Sequence, residues 1–182
     1  AFDRADGGRR VRSWRRHGDA TDRVAFAAGA PVVALAEPIV AATGTSTVPR
    51  HRIDVVDART YEVTGTTWTP PGPLAHLVLS SRGTALAWAL RDDPRVTLAD
   101  AGGHALLRGS SGGSSVEAIA IADDDRRLAV ANRHVEHNVR VYAVGEDEPT
   151  VLAVPRGVSS LLWSHDGTRL FAMGFDGLIH VV

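Results

Sequence analysis

Cysteine is absent from the 182 residues, and so is lysine. Without thiols there can be no disulfide and no thiolate metal site, and the redox compartment is left open. All 20 basic residues are arginine. No physical demand removes lysine from every solvated position, so this is read as coding bias, in line with the many Ala and Val. No apolar run approaches the ~20 residues of a membrane helix. The longest, Val24 to Ala36, is interrupted by Gly29 and Pro31. The chain starts at Ala1 without Met and without a signal-peptide pattern, so its start is expected to be cut or processed, with cytoplasm preferred over secretion. A net charge of −1 gives no global attraction to nucleic acid or membrane.

A hydrophobic share of 44% with 23% charged residues is that of an ordinary folded chain. The last stretch, Val158 to Val182, holds three short apolar runs separated by Asp166-Gly167 and Asp176-Gly177. Asp-Gly between apolar runs marks tight strand turns, because Gly accepts positive φ. The same plan recurs upstream. Phe26, Leu79, Ile121 and Trp163 end an apolar strand before a turn, at separations of 53, 42 and 42. Val33, Leu86, Leu128 and Leu170 follow the turn at the same separations. A strand unit of 42 residues has the length of a four-stranded propeller blade. No segment keeps a helical period, and Gly and Pro punctuate the chain throughout, so the fold class is all-β.

Each unit divides into strands a to d, giving blades at residues 19–68, 74–107, 116–154 and 158–182. The first unit is longer because residues 37–51, with Pro38 and Pro49, intervene between its strands b and c. They are expected to form a projecting loop. Ser110 to Ser115 reads as a flexible spacer. Residues 9–16 form a lone strand d, which is expected to pair with Leu178–Val182 and complete the fourth blade. Two layouts follow: a compact four-bladed ring, or part of a larger propeller whose other blades lie elsewhere or on another chain.

With Trp163, Ser164-His165-Asp166-Gly167, Leu170-Phe171-Ala172-Met173-Gly174 and Phe175-Asp176-Gly177-Leu178-Ile179-His180-Val181, the final unit resembles the WD-repeat β-propeller family. The passage from Phe2-Asp3 through His17-Gly18 to Phe26 is similar to that family's connection from strand d to strand a. The Gly-His order is reversed and no Trp closes a strand c, so "WD-repeat-like" is the fitting wording. Residues 53–63 also resemble blades of lactonase-type and bacterial surface propellers. The resemblance implies a four-stranded antiparallel blade architecture and a scaffold for protein contacts.

Several groups carry chemistry by composition. Ser164-His165-Asp166 has the letters of a hydrolase triad, but triad members converge from separate segments, and these share one turn. His134 and His137 lie in a loop without a third ligand nearby, and Asp123-Asp124-Asp125 lacks the further oxygens of a calcium loop. Hence no catalytic residue, metal or cofactor is expected. Alternation places Arg10, Arg12, Trp14 and Arg16 on one face of the first strand. With His51, at the end of the projecting loop, they form the expected interaction surface. Charge on an outer strand also prevents edge-to-edge aggregation. The expected partner is an unnamed protein, with self-association if blades are shared between chains. The alternatives are a lactonase-type enzyme or ligand binder using the central funnel, and a secreted surface module.

Overall fold

The computed structural model describes residues 3–6, 9–12, 23–43, 46–132, 139–155 and 157–182. They form strands and turns with no helix. Strands β1 (Asp3–Asp6) and β2 (Arg9–Arg12) pair with each other. Then come four antiparallel meanders. The first contains β3 (Arg23–Phe26), β4 (Val32–Thr43) and β5 (Ser46–Asp57). The second contains β6 (Leu74–Leu79), β7 (Ala85–Leu90), β8 (Arg95–Asp100) and β9 (Ala105–Ser110). The third contains β10 (Ala118–Ile121), β11 (Arg127–Ala131), β12 (Val139–Ala143) and β13 (Thr150–Leu152). The fourth contains β14 (Val158–Trp163), β15 (Leu170–Gly174) and β16 (Ile179–Val181). Strands β3, β6, β10 and β14 pack one on the next, so the sheets stack like propeller blades.

Register explains why sheets of this sequence stack. On the side of each sheet that faces the next one, strand b carries two alanines: Ala34 and Ala36, Ala87 and Ala89, Ala129 and Ala131. All six are fully buried. The following sheet fills the space with larger side chains, as Leu79 and Leu86 do in the second sheet and Ile119, Leu128 and Val130 in the third. Small against large keeps the summed volume near native packing density. The result is three separate core clusters, one at each junction. Each fully buried Leu or Val there contributes on the order of 2 kcal/mol.

Residues 37–43 and 46–51 are strand, not the expected projecting loop. They prolong β4 and β5 into a ribbon with Pro38 opposite His51 and Val40 opposite Pro49. The prolines fit because of parity. Ile53 exchanges both its hydrogen bonds with Trp68, on the outer side of β5. Positions 51 and 49 share that parity, so the nitrogens of Pro38 and Pro49 point away from the partner strand and no ladder bond is lost.

The expected pairing of residues 9–16 with the end of the chain is likewise corrected. Arg9–Arg12 pairs with Asp3–Asp6, with Asp3 opposite Arg12 and Asp6 opposite Arg9. Only two residues separate these strands, so closing the hairpin costs little chain entropy, and opposite charges stand directly across the ladder. Residues 13–16 lie outside the described ones. The sheet of β16 therefore has three strands among the described residues. The fourth strand of the first sheet is reduced to two bridges, Ile53 with Trp68 and Val56 with Val63.

Candidate interaction surfaces

The turn between strands a and b has one geometry in three sheets. Gly83, Asp125 and Gly167, 42 residues apart, all take positive φ, at 72°, 60° and 65°. Asp125 holds a conformation that otherwise falls to Gly, which Asp tolerates better than most residues. These turns also clasp one another. Gly29 donates to the Ser81 carbonyl at 2.8 Å, and Thr84 donates its hydroxyl to Asp125. Arg127 donates to the Gly167 carbonyl at 2.8 Å, and His165 Nδ1 stands 2.5 Å from Asp123 Oδ2. The acidic run thus divides its work. Asp123 reaches the fourth sheet and Asp125 the second, while Asp124 caps the Arg126 and Arg127 N–H groups and binds the Arg127 side chain. Its carboxyl lies below its ordinary value: burial raises it, but these hydrogen bonds lower it further.

Ser164-His165-Asp166 is a turn, as expected. The Ser164 hydroxyl donates to Asp166, which also accepts from the Thr168 N–H and side chain, and His165 is turned away from both toward Asp123. Those bonds, the Ser164 one first, hold the Asp166 carboxyl down to about 2. Nothing here activates a nucleophile. Among the described residues no three His, Asp or Glu side chains gather closely enough to hold a metal ion. His134 and His137 lie outside the described residues.

The strand-a ends converge on a funnel of about 410 Å³. Its wall is mainly apolar, with Phe26, Val78, Leu79, Ile119, Leu161 and Leu162, and also includes one carboxylate and one imidazole, Asp123 and His165.

Of the expected interaction residues, Arg10 and Arg12 are on β2, opposite Ala5 and Asp3. Trp14 and Arg16 lie outside the described residues. His51 is 3% exposed, and its Nδ1 accepts the Leu74 N–H at 3.1 Å. It therefore joins the first sheet to the second and offers nothing to a partner. Its place among prolines suggested a surface loop, and only the register shows otherwise. Arg23 Nε donates to the Leu74 carbonyl across the same junction, and two similar links join the second sheet to the third: His76 Nε2 meets the Val116 carbonyl, and Asn132 donates to the Ser111 carbonyl.

The surface that composition did not reveal is the outer side of the last sheet. Leu162, Phe171 and Val181 form one cross-strand row, and Ser160, Met173 and Ile179 the next. These positions match the alanine rows that are buried in the other sheets. Here Phe171 and Met173 replace the alanines and no described residue covers the rows: Ile179 is 63% and Leu162 66% exposed, Phe171 is half-buried, and Phe175 and Leu178 extend the patch. Repeat alignment was the signal that could have found them: Phe171 and Met173 stand 42 residues after Ala129 and Ala131.

No protein-family model matches the chain, and no curated protein matches it in sequence. Among solved structures, the chain is similar to the Dos1 propeller, at 12% identity and a TM-score of 0.67 over 96% of this chain and 44% of that one. It is also similar to a chain of the Mitotic Checkpoint Complex, at 15% identity and a TM-score of 0.68 over 96% and 51%. It spans about half the length of the solved chains it matches. At these identities the likeness carries the fold, a WD-repeat-like β-propeller.

Proposed function

We propose that the protein is a non-catalytic propeller scaffold that brings other proteins together. The observation that carries this reading is the open apolar face of the last sheet, with Leu162, Phe171, Met173, Ile179 and Val181 in two adjoining rows. A contiguous apolar patch rimmed by polar residues marks a contact surface for another protein. A β-sheet holds such rows rigidly, so little side-chain entropy is lost on contact. The Ser160 hydroxyl lies where Arg23 and His76 donate to the carbonyl of the next sheet, and offers a partner backbone the same kind of bond.

The lactonase-type alternative requires several carboxylates and imidazoles gathered around the funnel axis, whereas the described lining is mainly apolar, with Asp123 and His165 paired to each other. Nothing observed favours the reading as a secreted surface module. A photo-crosslinking residue at position 173, in cells that make the full protein, tests the scaffold reading. The expected outcome is a discrete protein adduct that Ile179→Lys abolishes. Lactone turnover lost in His165→Ala, with no adduct, would replace the scaffold by the enzyme.

A further inference from the structure

At the outer rim, the junction of the first and second sheets differs in construction from the next junction. Between the second and third sheets, Tyr142 closes the rim. Its ring lies over Gly109, where any Cβ would stand 2.8 Å from it, and its hydroxyl donates to the Ser110 carbonyl while accepting the Ser110 N–H. Register places Trp68 of the first sheet where the second has Gly109, since Ile53 faces Trp68 as Val96 faces Gly109. It likewise places Ala99 of the second sheet where the third has Tyr142. Large and small have changed sides. The exchange is incomplete in volume, because a cavity of about 500 Å³ remains beside Trp68.

The chemistry of its walls is specific. Trp68 and Trp88 stand with ring centroids 6.5 Å apart and planes tilted by 53°, and Pro70 and Pro71 add two more flat apolar faces. The lining contains two cations, Arg95 and Arg108, and no acidic side chain. Arg95 is engaged by Asp93 through Nε and Nη2. Arg108 follows Trp88 and Thr97 in a cross-strand row and is exposed, without an ion-pair partner among the described residues. The indole N–H of Trp68 is itself buried and has no acceptor among the described residues.

We propose that this rim cavity binds a small aromatic carboxylate. Flat walls of tryptophan and proline favour a planar ring, through stacked or edge-on contacts. The unpaired Arg108 favours an anion with paired oxygens, which the guanidinium fork matches. The volume is that of a small-ligand site, with room for a ring system and a short acidic arm rather than an extended chain. The site is separate from the apolar face of the last sheet and does not depend on it.

Titrating the full, isotopically labelled chain with phenylacetate, and separately with neutral phenylacetamide, tests the proposal through the Trp68 indole N–H resonance. Phenylacetate is expected to shift it saturably and to bind at least about ten-fold more tightly than the amide. Arg108→Gln, at an exposed position, should reduce phenylacetate to the affinity of the amide with the urea midpoint unchanged. Ala105→Phe, which crowds the exposed side of the cavity, should abolish the response. Equal affinity for acid and amide, no saturable shift, or an undiminished response in Arg108→Gln would each overturn the proposal. So would binding of the peptide N-acetyl-Phe-Glu-amide without binding of phenylacetate, which would point to a protein ligand.

Discussion

The inner faces of the first three sheets and the outer face of the fourth are built on one register, yet they meet different surroundings. In the first three, strand b presents Ala-Xaa-Ala to a neighbouring sheet and the alanines are fully buried. In the fourth, Phe171 and Met173 take those places, and Met173 is 48% exposed. Alanine lets two sheets approach closely, with the neighbour supplying the bulk. Phenylalanine and methionine supply the bulk themselves, so their complement must present small side chains or stand farther off. A repeat can thus keep its backbone while the volume on one face sets what may pack against it.

Charge placed at matching positions should split this comparison most widely. Val139 and Ile179 occupy equivalent sites on strand c, one fully buried and the other open. Val139→Lys should cost several kcal/mol, on the order of 4, and can prevent folding, because a buried ammonium has no partner there. Ile179→Lys should stay within about 0.5 kcal/mol. Urea unfolding of both variants is the measurement, and equal costs would mean that the last sheet is covered in solution.

The exchange of large and small at the rim gives the next effect. Trp68→Gly should cost about 3–5 kcal/mol, and Ala99→Tyr about 1–3 kcal/mol by overpacking. The double variant reproduces the Gly109–Tyr142 arrangement, so it should recover at least about 1 kcal/mol relative to the sum. Strict additivity in the cycle would show that the two junctions are not interchangeable.

Acid gives the smallest and most graded difference. Burial lowers the pKa of His76, which joins the second sheet to the third, below the ordinary 6.5. Its folded value lies below the unfolded one, so its contribution is present above pH 6.5 and is lost as pH falls from there. Asp166 lies lower still, at about 2 against an ordinary 3.8, and Asp57, Asp100 and Asp176 are lowered by similar turn hydrogen bonds. Their contribution is present above about pH 4 and disappears as pH falls toward 2. Thermal unfolding from pH 8 to 2 should therefore decline in two stages. His76→Gln should flatten the upper stage and Asp166→Asn part of the lower.

Much of the fold was legible because turn chemistry and alternation are local. The spacing of Leu79, Ile121 and Trp163 set the blades, and the Asp-Gly turns set the strand ends. Asp125 falls in the turn expected after Ile121, but its bond to Thr84 joins two sheets and is invisible in one segment. Residues 37–51 misled because two prolines are a loop signal in isolation. Which way their nitrogens face depends on the partner strand, so His51 passed for a surface residue. The pairing of Arg9–Arg12 was missed for the opposite reason, since a distant partner was preferred to the adjacent Asp3–Asp6.

The sequence by itself determined the strand class, the 42-residue period and the turn geometry, because each rests on residues close together in the chain. Tertiary structure alone decided which faces are covered, that Trp68 and Ala99 share a junction, and that the rim beside them holds a cavity. Those outcomes depend on volumes summed across two sheets, and no single strand carries that sum.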